Sequence, residues 1–469
     1  MKLDREKTMR HHYRQTSGRT SQHIALVFAL ALFLDAAHAD AANLYWTTEA
    51  PSSGNWTNNA NWIGVQPTAA DTAYLGAPNV SQPARATNAI AEITELGAIC
   101  NNLSLGSASG GEGTINMQSG SLQAVNYMFI ASLAPGTFNQ YGGTVTVHNL
   151  DIGRALVSPA AYNMVSGQLL IDELELGIFG HGFVSQSGGS VHVKDVFEIG
   201  AYSDVSSAGT YNLTGGSVVL SNGCSFVMGV DLKPVSVLNI GDTNGTGTIV
   251  EESGAGIALE LGYSSTQERL LRGWGTIALT GNLQNSGRVE ADGYGTDRDL
   301  DLSTFSGTTG LSDNTTDHGW FAQNHGRLLL PSFPVSSGNT YYWGEEAGPF
   351  LVNSLKMLFT AGSGILTGVL YAADHALVPP GIVSAGVWSL DGVSGSAGHL
   401  WVRYDDAALA AIGLDEEDLK LWQYNGTQWV ELAATVDPGT KRIAGGPYSS
   451  LAGFIAVGRE PRGTMITIQ

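Results

Sequence analysis

Gly142-Gly143-Thr144-Val145-Thr146-Val147-His148-Asn149-Leu150-Asp151-Ile152-Gly153 is the stretch whose reading decides the fold. It holds a small-Gly pair, an alternating apolar strand, then a carboxylate, an aliphatic residue and Gly. The same pattern returns at Ser166-Gly167 to Leu174-Glu175-Leu176-Gly177 and at Gly188-Gly189 to Phe197-Glu198-Ile199-Gly200. A period of about 24 residues is the mark of a solenoid, in which each unit buries its apolar face against its neighbours.

Outward from that stretch, the closing Gly falls at 106, 153, 177, 200, 229 and 262, with Ala131 in the same place. Leu150, Leu174, Phe197, Phe226 and Leu259 share one position, and Ile152, Leu176, Ile199, Met228 and Leu261 share another two residues on. Period two puts both sets on one face of a strand. A second ladder, Ile115, Phe138, Tyr162, Val184 and Tyr211, sits five residues before the second residue of each small-Gly pair. Asn116, Asn139, Asn163, Ser185 and Asn212 follow it, spaced to stack and hydrogen-bond along a column. A turn of this length holds two or three short strands. The expected fold is all-β, a right-handed parallel β-helix followed by a C-terminal β-sandwich. No six-residue period supports a left-handed hexapeptide helix.

The composition agrees. The chain has 469 residues, 61 Gly and only 14% charged residues, which suits turn-rich β-structure. Lys2, Arg5, Lys7, Arg10, Arg14 and Arg19 precede the apolar run Ile24–Leu34 and the small-x-small site Ala37-His38-Ala39. Residues 1–39 therefore read as an export signal, too short in its apolar part to span a bilayer. The whole chain carries 22 Lys/Arg and 42 Asp/Glu; residues 1–39 hold six and three of these, which leaves 16 and 39, a net of −23. Such a charge disfavours nucleic acid and anionic membrane as partners and is compatible with a neutral glycan, a cationic ligand or a divalent metal. Cys100 and Cys224 fall on different rungs, with several rungs between them. Rungs are ~4.8 Å apart, beyond the reach of a disulfide, so two buried free thiols are expected.

The chain divides into the signal (1–39), a cap of opening strands (40–96), β-helix repeats (97–330), a β-sandwich module (331–458) and a tail (459–469). Trp46, Trp56 and Trp62 are the cap's natural material, since an open end rung has to be covered. A carbohydrate-binding role is the other reading of these tryptophans. A short helix is expected from Asp405 to Ile412.

The export signal, the opening Asn61-Trp62 and the repeats resemble large exported bacterial β-helix proteins of the autotransporter-like or PEP-CTERM-type class, with pectin-lyase-like repeats. In the second half, Tyr342-Trp343-Gly344-Glu345, Leu351-Val352-Asn353-Ser354, Val387-Trp388-Ser389-Leu390-Asp391 and Lys420-Leu421-Trp422 resemble a module common in them. The resemblance implies a structural, adhesive or binding protein of the cell surface or extracellular matrix, with the periplasm as an alternative location. The flat stacked faces of such a shaft suit an extended polymer, so extracellular polysaccharide or a surface polymer is the expected partner. The usual sorting tail is missing; Arg459-Glu460-Pro461-Arg462 is at most a remnant.

One outward position per rung is patterned beyond what stacking requires: Asp151, Glu175, Glu198 and Glu260, interrupted by Val227. Stacked carboxylates repel unless a cation or proton intervenes. The column reads either as a stripe for Ca²⁺ or another cationic ligand, or as a solvated face that keeps the shaft soluble. A hard metal site needs six to eight converging oxygens, which favours the solvated face, with no metal, cofactor or catalytic residue assigned. Gly241 to Gly247 starts like a Ca²⁺ loop, but its twelfth position is Ser253, so it reads as a turn. The alternative function is a carbohydrate-active enzyme, a polysaccharide lyase or a glycoside hydrolase. A groove with carboxylates converging on a basic residue favours the enzyme. A smooth shaft favours structure or adhesion.

Overall fold

The computed structural model describes residues 41–460, apart from 80–84, 155–157, 202–206, 230–234, 263–268, 310–318, 345–352 and Asp405. The export signal and the tail beyond Glu460 lie outside the described residues.

The chain is an all-β solenoid of about ten turns. Each turn visits three parallel sheets in a fixed order, shown by the turn that starts at Gly136. Gly136–Gln140 lies in one sheet, residues 144–147 lie in the next, and residues 149–152 lie in the third before Gly153 closes the turn. We call these the ladder sheet, the corner sheet and the acid sheet. Neighbouring turns pair in register, as in Leu150↔Leu174↔Phe197↔Phe226↔Leu259. Both aliphatic ladders of the acid sheet are buried, and so is the ladder Ile115, Phe138, Tyr162, Val184, Tyr211. Phe197 stacks on Phe226 at 4.6 Å, and Phe138 on Tyr162 at 4.9 Å. The stack therefore encloses one continuous apolar column, which is how a repeat too small to have a core of its own becomes stable.

The closing Gly is required by backbone shape and by space. Gly177 has φ +69, and a Cβ there would lie 2.4 Å from Ala208 backbone atoms. Ala131 adopts the same left-handed conformation, φ 58, without being Gly. On the outer face of the ladder sheet the asparagines do stack: Asn163 Nδ2 donates to Asn139 Oδ1, and Asn139 Nδ2 to Asn116 Oδ1, each at 2.9 Å. Glu92 ends this run, accepting from Asn116 Nδ2. Asn239 donates to Asn212 further along.

Parallel pairing starts ahead of residue 97. Asn43–Tyr45 pairs with Thr72–Leu75, and Asn88–Ile93 pairs with Glu112–Met117, so the opening segment supplies rungs as well as a cap. Trp46, Trp56 and Trp62 pack edge to face, with ring centroids at 5.0 and 4.8 Å, and all three are buried. They offer no face to a sugar.

At the other end, Arg327–Val335 pairs parallel with Asp299–Asp301 on one side and antiparallel with Leu355–Tyr371 on the other. The corner sheet thus passes into antiparallel strands without a break, and the chain from Asn43 onward forms one compact unit. The separation at residue 331 has no counterpart in the hydrogen bonding, because a strand edge at the last rung is covered by the next strand. Leu355–Tyr371 pairs with Val383–Arg403, which pairs in turn with Gly453–Arg459 and Arg442–Tyr448. The short helix is Asp406–Ala411. Cys100 and Cys224 are buried and free.

Candidate functional site

The acid sheet brings the four carboxylates into one column, in register as Asp151↔Glu175↔Glu198↔Val227↔Glu260. The column is not the solvated face expected of it. Asp151 is 7% exposed, and Glu175, Glu198 and Glu260 are half-buried. In-register strands are ~4.8 Å apart, so each side chain shields the next. Phe129 occupies the column position before Asp151. The Arg154 guanidinium lies 4.5 Å over that ring and 3.8 Å from Asp151 Oδ2.

Burial pushes the Glu175 carboxyl up to about 8, with the charges of Asp151 and Glu198 adding to it. Burial likewise lifts Asp151 to about 6; Arg154 opposes the shift and Glu173 adds to it. Glu260 is also raised by burial. Protons on the carboxylates therefore relieve the column's repulsion. Among the described residues no group of three or more His, Cys, Asp or Glu side chains is arranged to hold a metal ion.

A different constellation lies at the corner between the corner sheet and the acid sheet. There the strands turn with a register shift, between Val147 and Asn149 and again between Ile171 and Glu173. The residue in each gap, His148 or Asp172, stands outside both ladders. Lys194 follows on the next rung. The His148 Nδ1–H donates to Asp172 Oδ2 at 2.6 Å, since an ionised carboxylate only accepts. Lys194 Nζ lies 3.5 Å from Asp172 Oδ1 and 3.5 Å from Asp195 Oδ2.

These side chains line a shallow groove of ≈370 Å³ that runs along the shaft axis. Its floor is the outward row of the corner sheet, in register as Gln123↔Thr146↔Leu170↔His192. Val125, at the first of these rungs, is 43% exposed. The carboxylates of Asp172 and Asp195 hold Lys194 above its ordinary range, so it stays protonated at neutral pH.

Sequence reasoning did not join His148, Asp172, Asp195 and Lys194 into one set. A signal was present. His148 and Asp172 are 24 residues apart and Asp172 and Asp195 are 23 apart, the same steps that separate Gly153, Gly177 and Gly200, with Lys194 one residue short of that register. The buried Gln140 and Gln186 were missed as well. Tyr162 OH donates to Gln140 Oε1 at 2.7 Å, and Tyr211 OH to Gln186 Oε1 at 2.6 Å.

Among the described residues no helix is long and apolar enough to cross a membrane. No known protein family, curated protein or solved structure matches the chain.

Proposed function

We propose that this is an exported structural or adhesive β-helix of the bacterial cell surface or extracellular matrix, and that it binds an extended polysaccharide or surface polymer without turning it over. The carrying observation is the groove. It crosses five consecutive rungs, from Gln123 to Ser221, and offers polar side chains along its length. An elongated ligand can follow such a floor, whereas a compact one would use a single rung.

The chemistry of the groove supports binding over catalysis. A general base at Lys194 would need a lowered pKa, and its carboxylate neighbours raise it instead. The Lys194 side chain is 61% exposed, so nothing removes water from it. In this reading the solenoid is right-handed, as parallel crossovers almost always are. The antiparallel strands after residue 331 act as a β-sandwich that caps or attaches the shaft. Apolar side chains buried on both faces of one strand, Val387 and Trp388, support that layering. The chain's place in the autotransporter-like or PEP-CTERM-type class rests on the motif resemblance.

The second reading, a carbohydrate-active enzyme, has one specific support: Asp172 and Asp195 converge on Lys194 beside the groove. A single experiment separates the two. Polysaccharides are incubated with the full chain, with and without Ca²⁺, and followed for retention, new reducing ends and unsaturated-product absorbance. Retention with no product is the expected result. Product formation that depends on Asp172 would establish the enzyme.

A further inference from the structure

We propose that the groove takes an uncharged polysaccharide lying along the shaft axis and rejects polyuronates. The proposal rests on the polymer-binding reading and narrows it to a ligand class.

The charges in the groove are already compensated. Among the described residues that line it, Lys194 is the one fixed cation, and two carboxylates lie 3.5 Å from it. A uronate carboxylate would have to compete with Asp172 and Asp195 for that ammonium. It would do so in the field of a chain whose formal net charge is −20. A polycation meets the opposite obstacle, because the Lys194 ammonium stands in the wall.

An uncharged chain of hydroxyls meets neither obstacle. Hydroxyls both donate and accept, and so does the lining. Gln123 and Thr146 offer both functions, Asp172 accepts, and Lys194 donates. With its Nδ1–H on Asp172, neutral His148 keeps Nε2 as an acceptor. Between these groups Val125 and Leu170 give apolar surface for the C–H faces of sugar rings. Tyr127, two residues past Val125, is 37% exposed and stacks on Phe129 at 5.2 Å. Four rungs at ~4.8 Å make the floor long enough for several sugar units.

The test is affinity electrophoresis of the full chain through gels containing xylan, mixed-linkage β-glucan, polygalacturonate, alginate or chitosan. Two variants accompany it. Thr146→Trp fills the groove and leaves the His148–Asp172–Lys194 set intact. Asp172→Ala removes the hub that organises the set. Circular dichroism and the melting transition verify that each folds. The expected result is retardation by an uncharged polymer, little changed between about 50 and 500 mM salt, and weakened about tenfold or more by either variant. Retardation by polygalacturonate or alginate that Thr146→Trp abolishes would overturn this ligand class while leaving the polymer-binding reading standing. The same holds for chitosan. Uncharged-polymer binding that Thr146→Trp leaves intact would move the site elsewhere and overturn the proposal. Failure of every polymer to bind would remove the polymer-binding reading itself.

Discussion

Replacing Glu175 by Gln removes a strongly perturbed carboxyl of the acid column, and the consequence is a change in how stability depends on pH. Folding lifts this group from 4.5 to about 8. Between those values the folded chain holds a proton that the unfolded chain has released. The extra stability is present in full below about pH 4.5 and is lost as pH rises through 8. At about 1.4 kcal/mol per pH unit, the shift of 3.5 sets a ceiling of roughly 5 kcal/mol. Glu175 is half-buried, so solvent screening brings the expected loss to roughly 2–4 kcal/mol.

Asp151, lifted by burial to about 6, adds its own slope below that pH. His375, whose pKa is lowered by burial, contributes only below its ordinary 6.5. Between about pH 6.5 and 8 the slope therefore belongs to the column, and mainly to Glu175. The assay is urea unfolding followed by tryptophan fluorescence, comparing midpoints at those two pH values. The parent midpoint falls as pH rises. Glu175→Gln flattens that fall and is the more stable of the two at pH 8. An equal fall in parent and variant would refute the argument that burial and stacked charge keep Glu175 protonated.

Three further outcomes follow from the shaft. Gly177→Ala combines a positive φ with a 2.4 Å clash and lowers stability by more than about 2 kcal/mol, whereas Ala131→Gly relieves a left-handed alanine and changes stability by less than about 1 kcal/mol. Thermal melts of the pair check this contrast. Tyr162→Phe leaves the fully buried Gln140 Oε1 without its donor and costs about 1–3 kcal/mol, read from the urea midpoint. Asn139→Ala interrupts a run of side-chain bonds on a half-buried face. It costs about 1 kcal/mol and shows first as faster amide exchange in residues 112–117 and 160–164.

The fold was legible because stacking imposes its requirements on single positions. A closing Gly must turn left-handed, and an inward aliphatic recurs two residues apart, so both leave a period in the sequence. The Asn column was legible for the same reason. The C-terminal strands carry no such period, and their continuity with the corner sheet depends on Arg327–Val335 pairing in both directions. The site was less legible. Alternation correctly placed Asp151 and Glu175 on the outer side, but outward is not the same as solvated. What buries Asp151 is its neighbours along and beside the column, Phe129 and Arg154, which no strand pattern reveals. The groove was hidden by the register shifts at His148 and Asp172. A count of alternating residues passes over the one residue that belongs to neither sheet.

Hydrogen–deuterium exchange on the full chain, with and without a saturating uncharged polysaccharide, tests the central claim most directly. The account predicts protection concentrated at residues 121–125, 144–148, 168–172 and 190–194, the four rungs that floor the groove. Protection confined to the acid column or to the strands after residue 331, with those four segments unchanged, would contradict it.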